Sequence, residues 1–160
     1  MIKVKIIALG KLKERYLKEA VEEYAKRLSA LCSFEVIEIE PEKTKENPSD
    51  KEILAALKKE ATLIEKKIPE GALTVALCIE GKRYSSVSFS KLFSDAAVNG
   101  KGNIVFLIGS SYGMDESLKK RADIKMSMSD MTFPHQLARV MLTEQIYRAF
   151  KIMEGGTYHK

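Results

Sequence analysis

The fold turns on Ile104–Val105–Phe106–Leu107–Ile108–Gly109–Ser110–Ser111–Tyr112–Gly113. An unbroken apolar run is followed at once by small and polar residues. A strand apolar on both faces belongs inside a parallel sheet covered by helices on each side. Leu73 to Ile79 has the same character. Around these two, Met1 to Leu9 alternates Ile2, Val4 and Ile6 against Lys3 and Lys5 before Gly10, which reads as a strand. Phe34, Val36, Ile37 and Ile39 mark another, and Ile124 to Met128 a fifth. Between them lie helical patterns. Leu17, Ala20, Val21, Tyr24, Leu28 and Leu31 form one stripe, and Ile53, Leu57, Ala61, Ile64 and Ile68 a second. Ser49 and Glu52 have the spacing of a capping box, ahead of a helix stopped by Pro69–Gly71. Glu80–Gly81–Lys82 reads as a turn, Ser88 as the cap of a helix through Val98, and Asp115 as the start of a short helix. The last helix begins near Pro134 and runs to about Met153. Strands alternating with helices give an α/β fold, a mostly parallel sheet flanked by helices. Its ligands bind beyond the carboxyl ends of the strands. The loops after Ile79, Ile108 and Met128 are therefore the places to look.

The chain has 160 residues, of which 45% are hydrophobic and 31% charged, with 9 Gly and 4 Pro. That suits a single globular domain over 1–160 and excludes collagen-like or disordered sequence. No run approaches the roughly 20 apolar residues of a membrane span. The charged, alternating start is not a secretory leader, so a cytoplasmic protein is expected. Cys32 and Cys78 lie far apart, and with only 2 His no thiolate or histidine metal site is expected. The net charge of +5 permits a polyanionic partner without demanding one.

The loop after Ile108 lacks both the GxGxxG pattern and the lysine of a phosphate-binding loop. It does fit G-x-S-x-G, which would make Ser111 a nucleophile, with Asp123 or Asp130 and then His135 or His159 downstream. His135, at a helix start, reads as a cap or a packed side chain. Arg139 and Arg148 read as solvated charges or phosphate contacts, the first being commoner for helical arginines. Gly155–Gly156–Thr157–Tyr158–His159–Lys160 reads as a frayed tail unless it folds over a site.

Met131–Thr132–Phe133–Pro134–His135–Gln136, then Arg139–Val140 and Glu144–Gln145–Ile146–Tyr147–Arg148–Ala149, form a more specific pattern. Phe106–Leu107–Ile108–Gly109, Gly10–Lys11–Leu12–Lys13 and the terminal Tyr158–His159–Lys160 extend it over essentially the whole chain. On these residues the chain resembles the RlmH family, SPOUT-class methyltransferases of bacterial large-subunit (23S) ribosomal RNA. One departure is Ser110, where the family usually has a second glycine. The resemblance implies a SPOUT-type fold with a C-terminal trefoil knot, which connection rules would not propose. It implies S-adenosyl-L-methionine as cofactor, bound by Leu77, Gly109 and the stretch Met128, Ser129, Asp130, Met131, Thr132 and Phe133. It also implies a homodimer methylating N3 of a pseudouridine on the assembled 70S ribosome. Arg148, Tyr158 and His159 would complete the site from the partner chain, with Glu144 an orienting group or a base. A serine hydrolase through Ser111 and a non-catalytic ribosome-binding module are the alternatives from other classes.

Overall fold

Strands and helices alternate along the computed structural model, which describes residues 1–160. In chain order they are β1 (Lys3–Leu9), α1 (Arg15–Leu28), β2 (Ser33–Ile39), α2 (Asp50–Glu65) and β3 (Leu73–Arg83), then α3 (Ser86–Val98), β4 (Asn103–Ile108), α4 (Glu116–Arg121), β5 (Ile124–Ser127) and α5 (His135–Met153). The five strands form one sheet in the order β2-β1-β4-β3-β5. Every pairing in it is parallel.

Alternation along each strand sends side chains to two cores. Val4, Ile6 and Ala8 of β1 and Ile104, Phe106 and Ile108 of β4 meet α1, α3 and α5 on one face. Ile7, Leu9, Val105 and Leu107 meet α2 and α4 on the other. The first core is closed by aromatic contacts, with Phe93 5.2 Å from Phe89 edge-on and 5.4 Å from Phe150. The predicted capping box is present: Ser49 Oγ accepts from the Glu52 amide, and the Glu52 carboxylate accepts from the Ser49 amide.

Two local readings differ from the sequence expectation. Glu80–Gly81–Lys82 is not a turn that ends the strand. β3 bulges away from β5 between Leu77 and Lys82, then resumes pairing at Lys82 and Arg83. Gly81 is there for closeness, since a Cβ on it would lie 2.5 Å from the Met126 carbonyl carbon. The cap of α3 is Ser85, whose hydroxyl accepts from the Ser88 amide at 3.1 Å.

Arg139 also departs from expectation, for it is neither solvated nor free for phosphate. It is 1% exposed, and its Nη1 donates to Glu38 of β2 at 2.6 Å while Nη2 donates to the Gly10 carbonyl at 2.8 Å. Leu142, Ile146 and Phe150 share its buried helical face, which is why the side chain had nowhere else to go. Arg139→Ala should lower the unfolding free energy by about 3 kcal/mol, the low end for breaking a buried pair, because Glu38 keeps some solvent. Urea denaturation measures this, and a loss under about 1 kcal/mol would reduce Arg139 to a surface-type pair.

Candidate functional site

Beyond the carboxyl ends of β3, β4 and β5 lies a cavity of about 740 Å³. Its wall is made by the β3 bulge, the loop Gly109–Met114 and the segment after β5. Leu77, Met128, Met131 and Phe133 supply apolar surface, and Ser129 and Thr132 supply polar atoms. Of the eight cofactor residues expected from the sequence, seven line this space, with Gly109 among them. Asp130 does not. Its carboxylate accepts from Arg83, and its side chain is 80% exposed.

The loop after β4 closes on itself. Ser110 N donates to the Gly113 carbonyl at 3.0 Å, and Gly113 N returns to Ser110 at 2.9 Å. Gly113 has φ +90, a left-handed conformation that favours glycine. A Cβ on Gly109 would lie 2.3 Å from the Gly113 oxygen. The glycine is thus required by the loop's own closure, not only by what it faces. After β5, Ser127 Oγ donates to the Ser129 carbonyl and Ser129 Oγ accepts from Met131 N, each at 3.0 Å. These bonds hold the second wall.

Sequence reading missed two charged residues on this cavity. Lys119, 14% exposed at its side chain, donates to Glu80 at 2.7 Å and to Glu116 at 3.3 Å. Its ammonium is held above the ordinary lysine range: burial opposes the charge, but the two carboxylates outweigh it. Glu80 is correspondingly held low, first by its hydrogen bond from Lys119.

No hydrolase triad assembles. Asp123 accepts from the Thr74 amide at 2.8 Å, and Asp130 is taken by Arg83. His135 titrates below the ordinary histidine range, through burial first and then the charges of Arg139 and Lys13. A triad histidine needs a carboxylate to orient it, and here cations surround the ring.

The expected catalytic set forms a second cluster near the other end of α5. Glu144 is its hub. Oε1 accepts from Arg148 Nη2 at 2.6 Å, from Arg148 Nε at 3.0 Å and from the Tyr158 hydroxyl at 3.1 Å. Oε2 accepts from Gln145 at 2.7 Å. Arg148 Nη1 reaches His159 Nδ1 at 3.4 Å, and the guanidinium lies 4.6 Å from the Tyr158 ring centre. The tail is therefore docked: Tyr158 packs edge-on to Tyr147 at 4.9 Å. Burial raises the Tyr158 phenol to about 12, with Tyr24 and Glu144 adding to it. His135, at the cavity, and Arg148 are thirteen residues apart on one helix, a rise of about 20 Å. Ala138, which also lines the cavity, and Glu144 are six residues apart, a rise of about 9 Å.

The description "Predicted SPOUT methyltransferase" matches this chain over residues 2–159. A "Ribosomal RNA large subunit methyltransferase H" of Streptococcus pyogenes serotype M5 (strain Manfredo) is 52% identical over 159 residues, covering 99% of this chain and 100% of the relative. The protein of that name from serotype M18 (strain MGAS8232) is 52% identical over 161 residues, with the same coverage. Among solved structures, a probable methylase family protein from Haemophilus influenzae Rd KW20 has a TM-score of 0.53 at 10% identity. It covers 100% of this chain and 72% of that one, and the likeness concerns the fold.

The docked tail makes a spectroscopic prediction. The raised phenol binds its proton more tightly folded than unfolded, so its contribution to stability is complete below pH of about 10 and disappears as pH rises through about 12. In an ultraviolet titration, Tyr158→Phe should remove the tyrosine step at about pH 12. Loss of an ordinary step near 10 instead would mean the tail is undocked.

Proposed function

We infer from one premise, that the chain belongs to the SPOUT methyltransferase family, that it methylates large-subunit ribosomal RNA in the cytoplasm. The methyl donor is S-adenosyl-L-methionine. The acceptor is N3 of a pseudouridine in 23S RNA, presented by the assembled 70S ribosome to a homodimer. Residues 1–160 act as one domain, whose C-terminal part carries the trefoil knot. The observation that carries this reading is the cavity at the strand ends, lined by Leu77, Gly109, Met128, Ser129, Met131, Thr132 and Phe133. No helix is long and apolar enough to cross a membrane.

Its lining suits the cofactor: apolar side chains for an adenine ring and the methylene groups beside the sulfonium, with hydroxyls and backbone for the polar ends. When bound, S-adenosyl-L-methionine supplies a methyl group activated by a sulfonium centre. Leu77, Met131 and Phe133 would give it apolar walls, and Gly109 and Ser129 would hold it through the main chain. Positioning of donor and acceptor then provides much of the rate.

The acceptor side is furnished by the second cluster. Tyr158, with a phenol at about 12, stays protonated at neutral pH and acts as a donor and stacking face. Arg148 stays cationic beside Glu144 and stabilises negative charge developing on the ring nitrogen. Glu144 already accepts four hydrogen bonds, which makes it an orienting group rather than a free base. His159 is left to take the N3 proton. The hub of this cluster, Glu144, lies about 9 Å along α5 from Ala138 on the cavity wall, and on this reading the partner's tail completes the site. Exposed Ile79, Met131 and Leu137, at 75%, 74% and 40%, offer apolar surface for that contact. No group of three or more His, Cys, Asp or Glu is arranged to hold a metal ion.

The test is incubation with methyl-labelled S-adenosyl-L-methionine and ribosomes lacking the modification. Label should enter large-subunit RNA, and far less should enter an isolated stem-loop. A modest charge of +5 supplies few of the phosphate contacts that gripping free RNA needs. Deleting Thr157–Lys160 should cost at least about a hundredfold in turnover while sparing cofactor binding. Gly109→Val should abolish cofactor binding by opening the loop. Mixed, the two inactive chains should regain activity in hybrid dimers. No recovery would mean each subunit works with its own tail.

A further inference from the structure

A second cavity, of about 590 Å³, lies on the other side of the Ser110–Tyr112 loop. It opens at the carboxyl ends of β1 and β2 and is roofed by α2. Its size falls within the range of about 300–1,000 Å³ typical of small-ligand sites. The two cavities share Ser110, Ser111, Tyr112 and His135 as a common wall. An occupant would therefore sit beside the cavity proposed for the methyl donor.

Glu60 of α2 lines this second space and is 4% exposed. One oxygen, Oε2, accepts from the Glu42 amide at 2.9 Å. The other, Oε1, is buried without a partner. A buried acceptor in that condition costs free energy, and the great majority in native proteins are satisfied. Burial also pushes the carboxyl above the ordinary glutamate range, despite the hydrogen bond from Glu42. The folded state thus binds the Glu60 proton more tightly than the unfolded chain. The sign follows: ionising Glu60 as pH rises above its ordinary value detracts from stability. This residue is held at a cost to the fold.

We propose that the second cavity receives a nucleobase of the RNA next to the methylated one, and that Glu60, whose Oε1 is shut off from solvent, turns to accept from the base's exocyclic amino group. This rests on the RNA methyltransferase reading above. Tyr112, 47% exposed, presents a ring on which such a base stacks. Lys11 and Lys13 on the same wall suit the phosphates on either side. The lining favours adenine or cytosine over a uracil-type base, because the unpaired oxygen is an acceptor that calls for a donor. An exocyclic amino group offers two N–H donors, where a uracil-type base presents carbonyl oxygens and only ring N–H flanked by them.

Glu60→Gln keeps the shape and an acceptor for the Glu42 amide while turning the free oxygen into a donor. In the full-length dimer the melting temperature should stay level or rise, and calorimetric affinity for S-adenosyl-L-methionine should be unchanged. The KM for unmodified ribosomes should rise about tenfold, the scale of one hydrogen bond to a charged group, with kcat altered much less. A separate titration uses AMP, CMP and UMP. AMP and CMP should shift the backbone amide signals of Gly10, Glu42 and Ser111, UMP should not, and Glu60→Gln should erase the difference. An unchanged KM overturns the proposal, as does a lowered melting temperature accompanied by weaker cofactor binding, since both then fit a purely structural carboxylate. If wild-type protein methylates no RNA, the preceding reading has failed. The nucleotide titration then decides the cavity alone: unmoved amides, or UMP equal to AMP, overturn it.

Discussion

The buried guanidinium of Arg139 is the contact through which the two ends of this molecule hold each other in place. It leaves α5 one turn after His135 and binds two separate strands' ends, Glu38 at the end of β2 and the Gly10 carbonyl after β1. An apolar side chain there would bury as much surface, but it would let the helix slide or rotate. Two directional, charge-assisted bonds do not. The start of α5 is also the end of the segment that lines the cavity at the strand ends, so that wall inherits its position from this pair. A buried ion pair of this sort is a poor source of net stability, because desolvation offsets the attraction. Its value lies in register.

Close backbone approach is the second constraint. Gly81 and Gly109 each sit where a Cβ would fall under 3 Å from another main chain, and in neither is φ in the left-handed region. At Gly81 the bulge of β3 crosses β5, which moves Cys78, Ile79 and Glu80 out of the sheet and onto the cavity rim. At Gly109 the β4 strand runs into a loop folded flat against its own end. Both glycines make room by absence, and the cavity between them is the result.

Chemistry is divided along α5. One end meets a largely apolar pocket; the other carries a carboxylate that accepts four hydrogen bonds, a cation and a phenol held in their charged and neutral forms, and a histidine. Neither end is complete. This division is what motivates the proposal that a second copy of the chain completes the site.

Much of this was legible in the residues themselves. The apolar runs Leu73–Ile79 and Ile104–Ile108, too short for helices and apolar on both faces, specify central parallel strands by the period of a pleat, which is a local property. Helical stripes and the Ser49–Glu52 box are local in the same sense. So was the placement of ligands beyond the strand ends, which located the loop at Gly109 and the segment after β5. Charged residues were harder. Arg139 and Glu60 both fall on the apolar stripe of their helices, Glu60 between Leu57 and Ile64, and that position was the available signal that they are buried. Their partners, Glu38 and Gly10 for one and the Glu42 amide for the other, come from distant parts of the chain. Only folding brings them together. The same holds for the bulge at Gly81, which depends on the backbone of Met126 across the sheet, and for the tail, whose docking needs Tyr147 and Glu144. Period and propensity act through neighbours in sequence. Burial of a charge, closeness of two backbones and the distance between the two ends of α5 arise between neighbours in space.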